Sequence, residues 1–425
     1  MKEVTLNDVA TVTGGHAFKS SQYTREGRFV LRTVNIRDDY SITKEGANFI
    51  SETDARNYER FTLEPLDTLF VMVAATLGKI GLVREADLPA LLNQNMWVIR
   101  ARPGKIDKRY LHYLFREISK IPLSWVGGSA RSFLRRDDVR NLQFLLPPLT
   151  EQEKIAAILA ALDDKIELNR RMNETLEAQA RALFRDWFVN FGPVKAKMAG
   201  DTPYLAPDLW SLFPNRLDNE GVPQGWKLGS LNLVSTLNPE SWTAKNAPEK
   251  IEYVDLANTK WGYIETAVGY EWEKAPSRAR RVLRPGDTIV GTVRPGNGSF
   301  SYIAKSGLTG STGFAVLRPK NEHDRTLSWC AATDPENIAR LSHLADGGAY
   351  PAVRPDAVVA SPLVVPPKAD LLQYFEKTAG ILLDRIESNK AESETLGQTR
   401  DLLLPKLMSG EIRIDNVASE ELSAA

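Results

Sequence analysis

Cysteine is almost missing from this chain: Cys330 is the single one in 425 residues. That excludes an internal disulfide and makes a reducing cytoplasm the expected location. Histidine is scarce as well. His16, His112, His323 and His343 form neither an HExxH pair nor a group with a CxxC, so no metal site is expected. Long apolar runs are absent, the greasiest stretches such as Phe70 to Leu77 being far too short to span a bilayer, and Met1 to Gly15 holds no apolar signal-like core. No membrane partner is expected. A Gly-x-x-x-x-Gly-Lys-Ser/Thr loop is lacking, since Gly78-Lys79 has the wrong surroundings, which argues against ATP binding. The two Pro-Pro pairs stand in Leu-Pro-Pro-Leu and Val-Pro-Pro-Lys, without the Asn or Asp of an amino-methyltransferase motif. Nothing in the chain therefore points to catalysis or to a cofactor of its own.

Net charge is also absent overall, but it is unevenly spread. Residues 1–150 carry 22 basic against 17 acidic side chains, and residues 368–425 carry 7 against 11. Phosphate binding needs a local positive surface rather than a positive total, so a basic first globule permits a DNA reader. With 43% hydrophobic and 25% charged residues the composition is that of an ordinary globular protein with room for two or three cores.

What is present is a long heptad pattern. From Glu151 to Asn190 apolar or small residues recur in steps of four and three: Ile155, Leu159, Leu162 and Ile166, then Leu176, Ala180, Leu183 and Trp187, with Asn169 and Asn173 in the middle layers. Pro147, Pro148 and Thr150 precede it and Gly192-Pro193 follows. The spacing predicts one helix of about 60 Å.

The same helix occurs again 220 residues later. Positions 155, 162, 169, 176 and 183 map onto Phe375, Leu382, Asn389, Leu396 and Leu403, and Ile166 maps onto Ile386. Asp164-Lys165-Ile166-Glu167 becomes Asp384-Arg385-Ile386-Glu387. The repeat reaches into the preceding globules: Pro65-Leu66-Asp67-Thr68 matches Pro285-Gly286-Asp287-Thr288, and Gly127-Gly128 matches Gly347-Gly348. One large duplication predicts two domains, each followed by a helix, rather than a solenoid of short repeats.

The expected map is a globule over 1–150, the central helix over 151–191, a surface-packed connector over 192–225, a second globule over 226–367, a C-terminal helix over 368–412 and an acidic, disordered tail over 413–425. The fold class is α+β. Strands are expected near 29–36, 68–74, 95–100, 142–146, 251–256, 288–293 and 314–317, and a helix over Asp107 to Ile118. Because the ends of a compact domain lie close together, the second helix should run back along the first. Pairing position i with about 562 − i makes an antiparallel coil with pseudo-two-fold symmetry and puts Asn169 opposite Ser393 and Asn173 opposite Asn389. Two similar globules on a rigid helical rod suit two separated DNA half-sites of unlike sequence.

These residues resemble the DNA specificity subunit of type I restriction-modification enzymes. The resemblance rests on Leu146-Pro-Pro-Leu-Thr-Glu-Gln-Glu-Lys-Ile155, on Phe184-Arg185-Asp186-Trp187-Phe188, and on Phe213-Pro214 followed by Gly221-Val222-Pro223-Gln224-Gly225-Trp226. It implies target recognition domains that each read half of a bipartite site, helices that set the spacing, and partners: double-stranded DNA, two methyltransferase subunits and restriction/translocase subunits. S-adenosylmethionine, ATP and magnesium would belong to those partners. A coiled-coil scaffold for proteins, or the targeting subunit of a related modification or defence system, are the alternatives.

Chemistry ranks the candidates for base and phosphate contact, since Arg and Lys bridge guanine or phosphate and Asn and Gln pair with adenine. In the first globule they are Lys19, Ser20, Arg32, Asn35, Lys79, Asn93, Gln94, Asn95, Arg131 and Arg135. In the second they are Arg278, Arg280, Arg294, Asn297, Ser299, Tyr350 and Arg354. The two Gly-Gly loops would let backbone approach a phosphate; an ordinary turn is the alternative. Trp187, Phe188 and Phe191 crowd one helix end and are expected to pack against the connector or a methyltransferase subunit. Packing within the chain is the alternative.

Overall fold

The computed structural model describes residues 2–73, 76–126, 134–345 and 351–414. They form two compact units. One holds the chain up to Glu167 together with the segment from Ser393; the other runs from Leu168 to Glu392.

The first unit is built on two small sheets. A four-stranded sheet orders Ala10–Gly14, Met96–Ala101, Thr68–Val71 and Ile80–Leu82, and a three-stranded sheet orders Asn48–Ile50, Arg28–Leu31 and Ala90–Leu92. The second unit repeats that plan with Ser235–Leu237, Phe314–Pro319, Thr288–Gly291 and Phe300–Tyr302, and with Val268–Glu271, Lys250–Val254, Leu308–Ser311 and Ala279–Val282. Register is repeated too. Leu69 pairs with Val98, and Ile289, 220 positions on, pairs with Val316. The second sheet of each unit contains one parallel pair, Phe29 with Ala90 and Glu252 with Leu308. A short outer ribbon closes each globule, Lys2–Thr5 against Gln143–Leu146 and Lys227–Ser230 against Pro362–Val365.

Strands lie at each of the expected runs, most with ends shifted by one to three residues. The stretch 29–36 departs most: its strand stops at Leu31, and a 3₁₀ turn occupies Thr33–Asn35. The Asn35 side chain accepts from Arg32 N at 3.0 Å, which stabilises the turn over continued pairing. The helix expected from Asp107 spans Lys108–Ile118, with Asp107 as its N-cap accepting from Tyr110 N at 2.8 Å.

The central helix runs over Leu149–Phe184 and ends in a π turn at Arg185–Val189. Its stop is a left-handed Phe191, φ 56°, followed by Gly192, where a Cβ would lie 2.0 Å from Asp186 Oδ1. A side chain there would have to displace the Asp186 carboxylate and the Tyr204 hydroxyl that bonds it. The C-terminal helix begins at Ala369–Phe375, passes a π turn at Glu376–Gly380 and continues over Ile381–Ser409.

Within each unit the two helices pair antiparallel. In the second unit Asn389 Nδ2 donates to Asn173 Oδ1 at 2.8 Å, and fourteen residues along Trp187 meets Phe375 with ring centroids 5.7 Å apart. In the first, Arg400 Nη1 donates to Asp163 at 2.6 Å, and Ile155 and Leu159 share a core with Leu404 and Leu407. All of these pairs satisfy the rule of 562 − i to within a residue or two. Asn169 donates to Glu392 Oε2 at 2.7 Å, so the polar layers are hydrogen-bonded rather than loose.

The seam itself needs correction. Ile155, Leu159, Asn169, Asn173, Phe375, Ile386 and Asn389 are buried, but Leu162, Ile166, Leu176, Leu183, Leu382, Leu396 and Leu403 are half exposed. Neighbouring Ala156, Phe184, Leu383 and Leu404 are buried instead. Each helix packs on its own globule as well as on the other helix, so the buried stripe is wider and rotated from a bare coiled-coil seam.

The connector is more than a surface strap. It forms helices at Gly192–Ala199 and Pro207–Ser211, and its Val194, Leu209, Phe213 and Val222 enter the core of the second unit with Trp226. Trp187, Phe188 and Phe191 are buried in that same core. Trp187 lies edge-on to Phe213, and Phe188 lies against Phe375 and Trp226. Of the two expectations for this cluster, packing against the connector holds, through Phe213, and docking of a partner subunit is corrected, because its faces are covered within the chain. Cys330 is fully buried there too, and burial pushes its thiol up to about 12, so it is core and not a nucleophile.

Candidate nucleic-acid interface

In each unit the loops at one edge of the four-stranded sheet are tied together by the same backbone bond. Met72 N donates to Asn95 O at 3.2 Å, and Thr292 N donates to Gly313 O at 2.8 Å. In the first unit this edge gathers the turn Asn93-Gln94-Asn95, the pair Gly14-Gly15 and Arg136. A Cβ on Gly15 would lie 2.1 Å from Asn93 O, and one on Gly14 would lie 3.0 Å from Arg136 Nη2. In the second unit, Val353 N donates to Thr292 O, Arg294 N to Pro351 O and Thr312 N to Arg278 O, at 2.8 to 2.9 Å. Those bonds bring the backbones of Arg278, Arg294 and the start of the Arg354 segment to one place.

Exposure and side-chain partners sort the candidates. In the first unit Lys19, Ser20, Gln94 and Arg135 are exposed. Lys79 is not free, forming an ion pair with Asp38 at 2.6 Å. Arg32 donates to Gly46 O at 2.7 Å. Asn35 is wholly buried, with its amide donating to Glu45 O at 3.2 Å, and Asn93 is 6% exposed; both are corrected from surface candidates to loop supports. Asn95 is half-buried. Arg131 and the Gly127-Gly128 loop lie outside the described residues.

In the second unit Arg278, Arg294, Asn297 and Arg354 are exposed. Arg280 instead covers the Trp272 ring at 4.5 Å and donates to Ala279 O. Ser299 is buried and donates to Leu256 O at 3.0 Å, so it too is a support. Tyr350 and Gly347-Gly348 lie outside the described residues. Arg136, which is not among the sequence candidates although it belongs to the Arg135-Arg136 run, is exposed and stands beside Gly14.

Among the described residues no group of three or more His, Cys, Asp or Glu could hold a metal ion, and no helix is long and apolar enough to cross a membrane. The edge offers cations, amides and close backbone, which is chemistry for binding an anionic polymer.

Residues 1–178 match the type I restriction modification DNA specificity domain. The chain is similar to the type I restriction enzyme HindI specificity subunit of Haemophilus influenzae, 25% identical over 325 residues that cover 65% of this chain and 70% of that protein. It is also similar to the MjaIX specificity subunit of Methanocaldococcus jannaschii, 24% identical over 83% of this chain and 79% of the relative. Among solved structures, the S subunit of a type I restriction-modification system from M. genitalium has the same fold, with a TM-score of 0.53, 15% identity and 96% of each chain covered.

Proposed function

We propose that this chain is the DNA-reading subunit of a type I restriction-modification complex in the cytoplasm, each unit recognising one half of an asymmetric bipartite site. One observation carries the reading: a single loop edge, tied by the same backbone bond, is present in both units but carries different exposed groups, Arg136 and Gln94 in one, Arg278, Arg294 and Arg354 in the other. One frame used twice with different side chains gives two half-sites of different sequence.

The paired helices then set the spacer and dock two methyltransferase subunits, with restriction/translocase subunits joining them. The docking reading draws support from apolar side chains left exposed on the helices, Ile158 and Leu168 on the central one and Ile381 and Leu402 on the C-terminal one. Methyl transfer with S-adenosylmethionine, and ATP- and magnesium-dependent translocation and cleavage, are work for the partners.

The spacer is the testable part. Because the helices pair as i with 562 − i, both must be lengthened together: four residues inserted after Glu174 and four after Ser388. The pair grows by roughly 6 Å, about two base pairs of B-DNA. The methylated site should keep both half-site sequences and gain about two unspecified positions between them. An unchanged spacer in a folded, methylating complex would show that the helices do not set the distance.

A further inference from the structure

Two non-glycine residues of the second unit lie in the left-handed backbone region, one at the start of the Arg294–Gly298 loop and one against its end. Arg294 has φ 46° and Trp261 has φ 48°. Such conformations are unfavourable for residues with a side chain and persist where the surroundings enforce them. Here the enforcement is visible. Trp261 N donates to Gly298 O at 2.7 Å, and a Cβ on Gly298 would lie 2.5 Å from the Trp261 ring, so the indole covers that glycine. The ring is braced edge-on by Phe300 at 5.8 Å.

The covered segment, Arg294 to Gly298, is held on its other sides as well. Arg294 N donates to Pro351 O and Asn297 N to Arg294 O, both at 2.9 Å, and Gly296 sits against Ser342, whose Oγ would be 2.9 Å from a Cβ there. The result is a rigid loop with one exposed guanidinium. Most other arginines of this unit are engaged: Arg284 and Arg318 with Glu240, Arg325 with Glu376 and Asp384, and Arg340 with Asn337 and Ser361. Among the described residues the Arg294 side chain meets no acceptor.

A two-pronged contact to one base edge needs the residue that carries the fork held at a set place, which the braced backbone of this loop supplies, whereas a phosphate contact makes no such demand. The sequence places alanine, Ala74, at the corresponding position of the first unit. The device is therefore private to the second unit. We infer that Arg294 reads a guanine edge in the half-site of the second unit and that Trp261 is the positioning residue holding the Arg294–Gly298 loop in its reading shape. This rests on the DNA-reading function proposed above.

The test uses the full complex, the chain co-expressed with the methyltransferase subunit of its system, with genomic methylation mapped by sequencing and the melting temperature of each purified complex as a folding control. Arg294→Ala should relax one guanine position in one half-site, with discrimination there falling roughly tenfold to hundredfold, while the other half and the spacer stay as they were. Arg294→Lys keeps the charge but not the fork and should fail to restore that position. Trp261→Leu should relax the same position, and Trp261→Phe should restore it. An unaltered motif with Arg294→Ala overturns the base contact, as does a uniform fall at all sites, which marks a phosphate contact. A strict motif with Trp261→Leu overturns the positioning role. A wild-type complex that gives no two-part motif overturns the DNA-reading function itself, and is seen before any variant is made.

Discussion

Asp67 and Asp287 stand 220 positions apart and do the same work in each unit. Asp67 accepts from Glu64 N and takes a two-pronged bond from Arg100; Asp287 accepts from Arg284 N and takes one from Arg318. Both carboxylates are almost fully buried, at 2% and 0% exposure. This is why the Pro-x-Asp-Thr turn survives in both halves of the sequence: the left-handed residue before it, Leu66 or Gly286, aims the Asp inward. Deleting the buried acceptor leaves Arg284 N and the Arg318 fork short of it, although Glu240 still pairs Arg318, at about 1–3 kcal/mol. Asp287→Ala should lower the urea midpoint of the second unit by a corresponding amount. A loss under about 1 kcal/mol, in the range of an exposed pair, would contradict the burial.

His112 belongs to the same scale. It is fully buried beside Arg116 and Arg400, and desolvation, helped by those cations, holds its pKa well below 6.5. The unfolded chain therefore takes up a proton near pH 6.5 that the folded unit refuses. Stability is fully present above that pH and is lost as pH falls below it, by up to about 1.4 kcal/mol per pH unit. His112→Gln should flatten the slope between pH 6.5 and 5 in denaturant titrations. A slope that survives the substitution would assign it to other groups.

At the level of elements, the duplicated helices were legible because repeated residues have repeated jobs. Asp164 and Asp384 hold Arg109 and Arg325 of the globular helices, at 2.9 and 2.7 Å. The antiparallel register followed from chain closure alone. Less legible was the destination of side chains whose partners come from distant sequence. Trp187, Phe188 and Phe191 looked like an external surface because a two-stranded coil cannot cover them; Phe213, Trp226 and Phe375 cover them. Nor could the sequence distinguish Arg294, whose side chain meets no acceptor among the described residues, from Arg280 on its tryptophan, or show that Asn35 is spent on its own loop. Composition ranks a residue's chemistry, whereas availability depends on neighbours. The packing has a consequence: Trp187→Ala or Phe188→Ala should destabilise the second unit by about 3–5 kcal/mol, the range for large aromatic truncations in a core. Weakened subunit assembly with unchanged unfolding of the chain would restore the docking role.

For the whole molecule, the sequence told one frame used twice, and the structure supplies the detail that makes the two uses differ. Each unit presents its sheet-edge loops with its own set of cations and amides, while the sheets, the outer ribbons and the inward Asp are held in common. The decisive measurement is methylome sequencing of cells that express this chain with its neighbouring methyltransferase, beside cells that lack only this chain. The expected result is a methylated motif that depends on the chain, made of two unlike halves at a fixed unspecified spacing. Methylation that is the same with and without the chain, despite a demonstrated complex, would contradict DNA reading as its function.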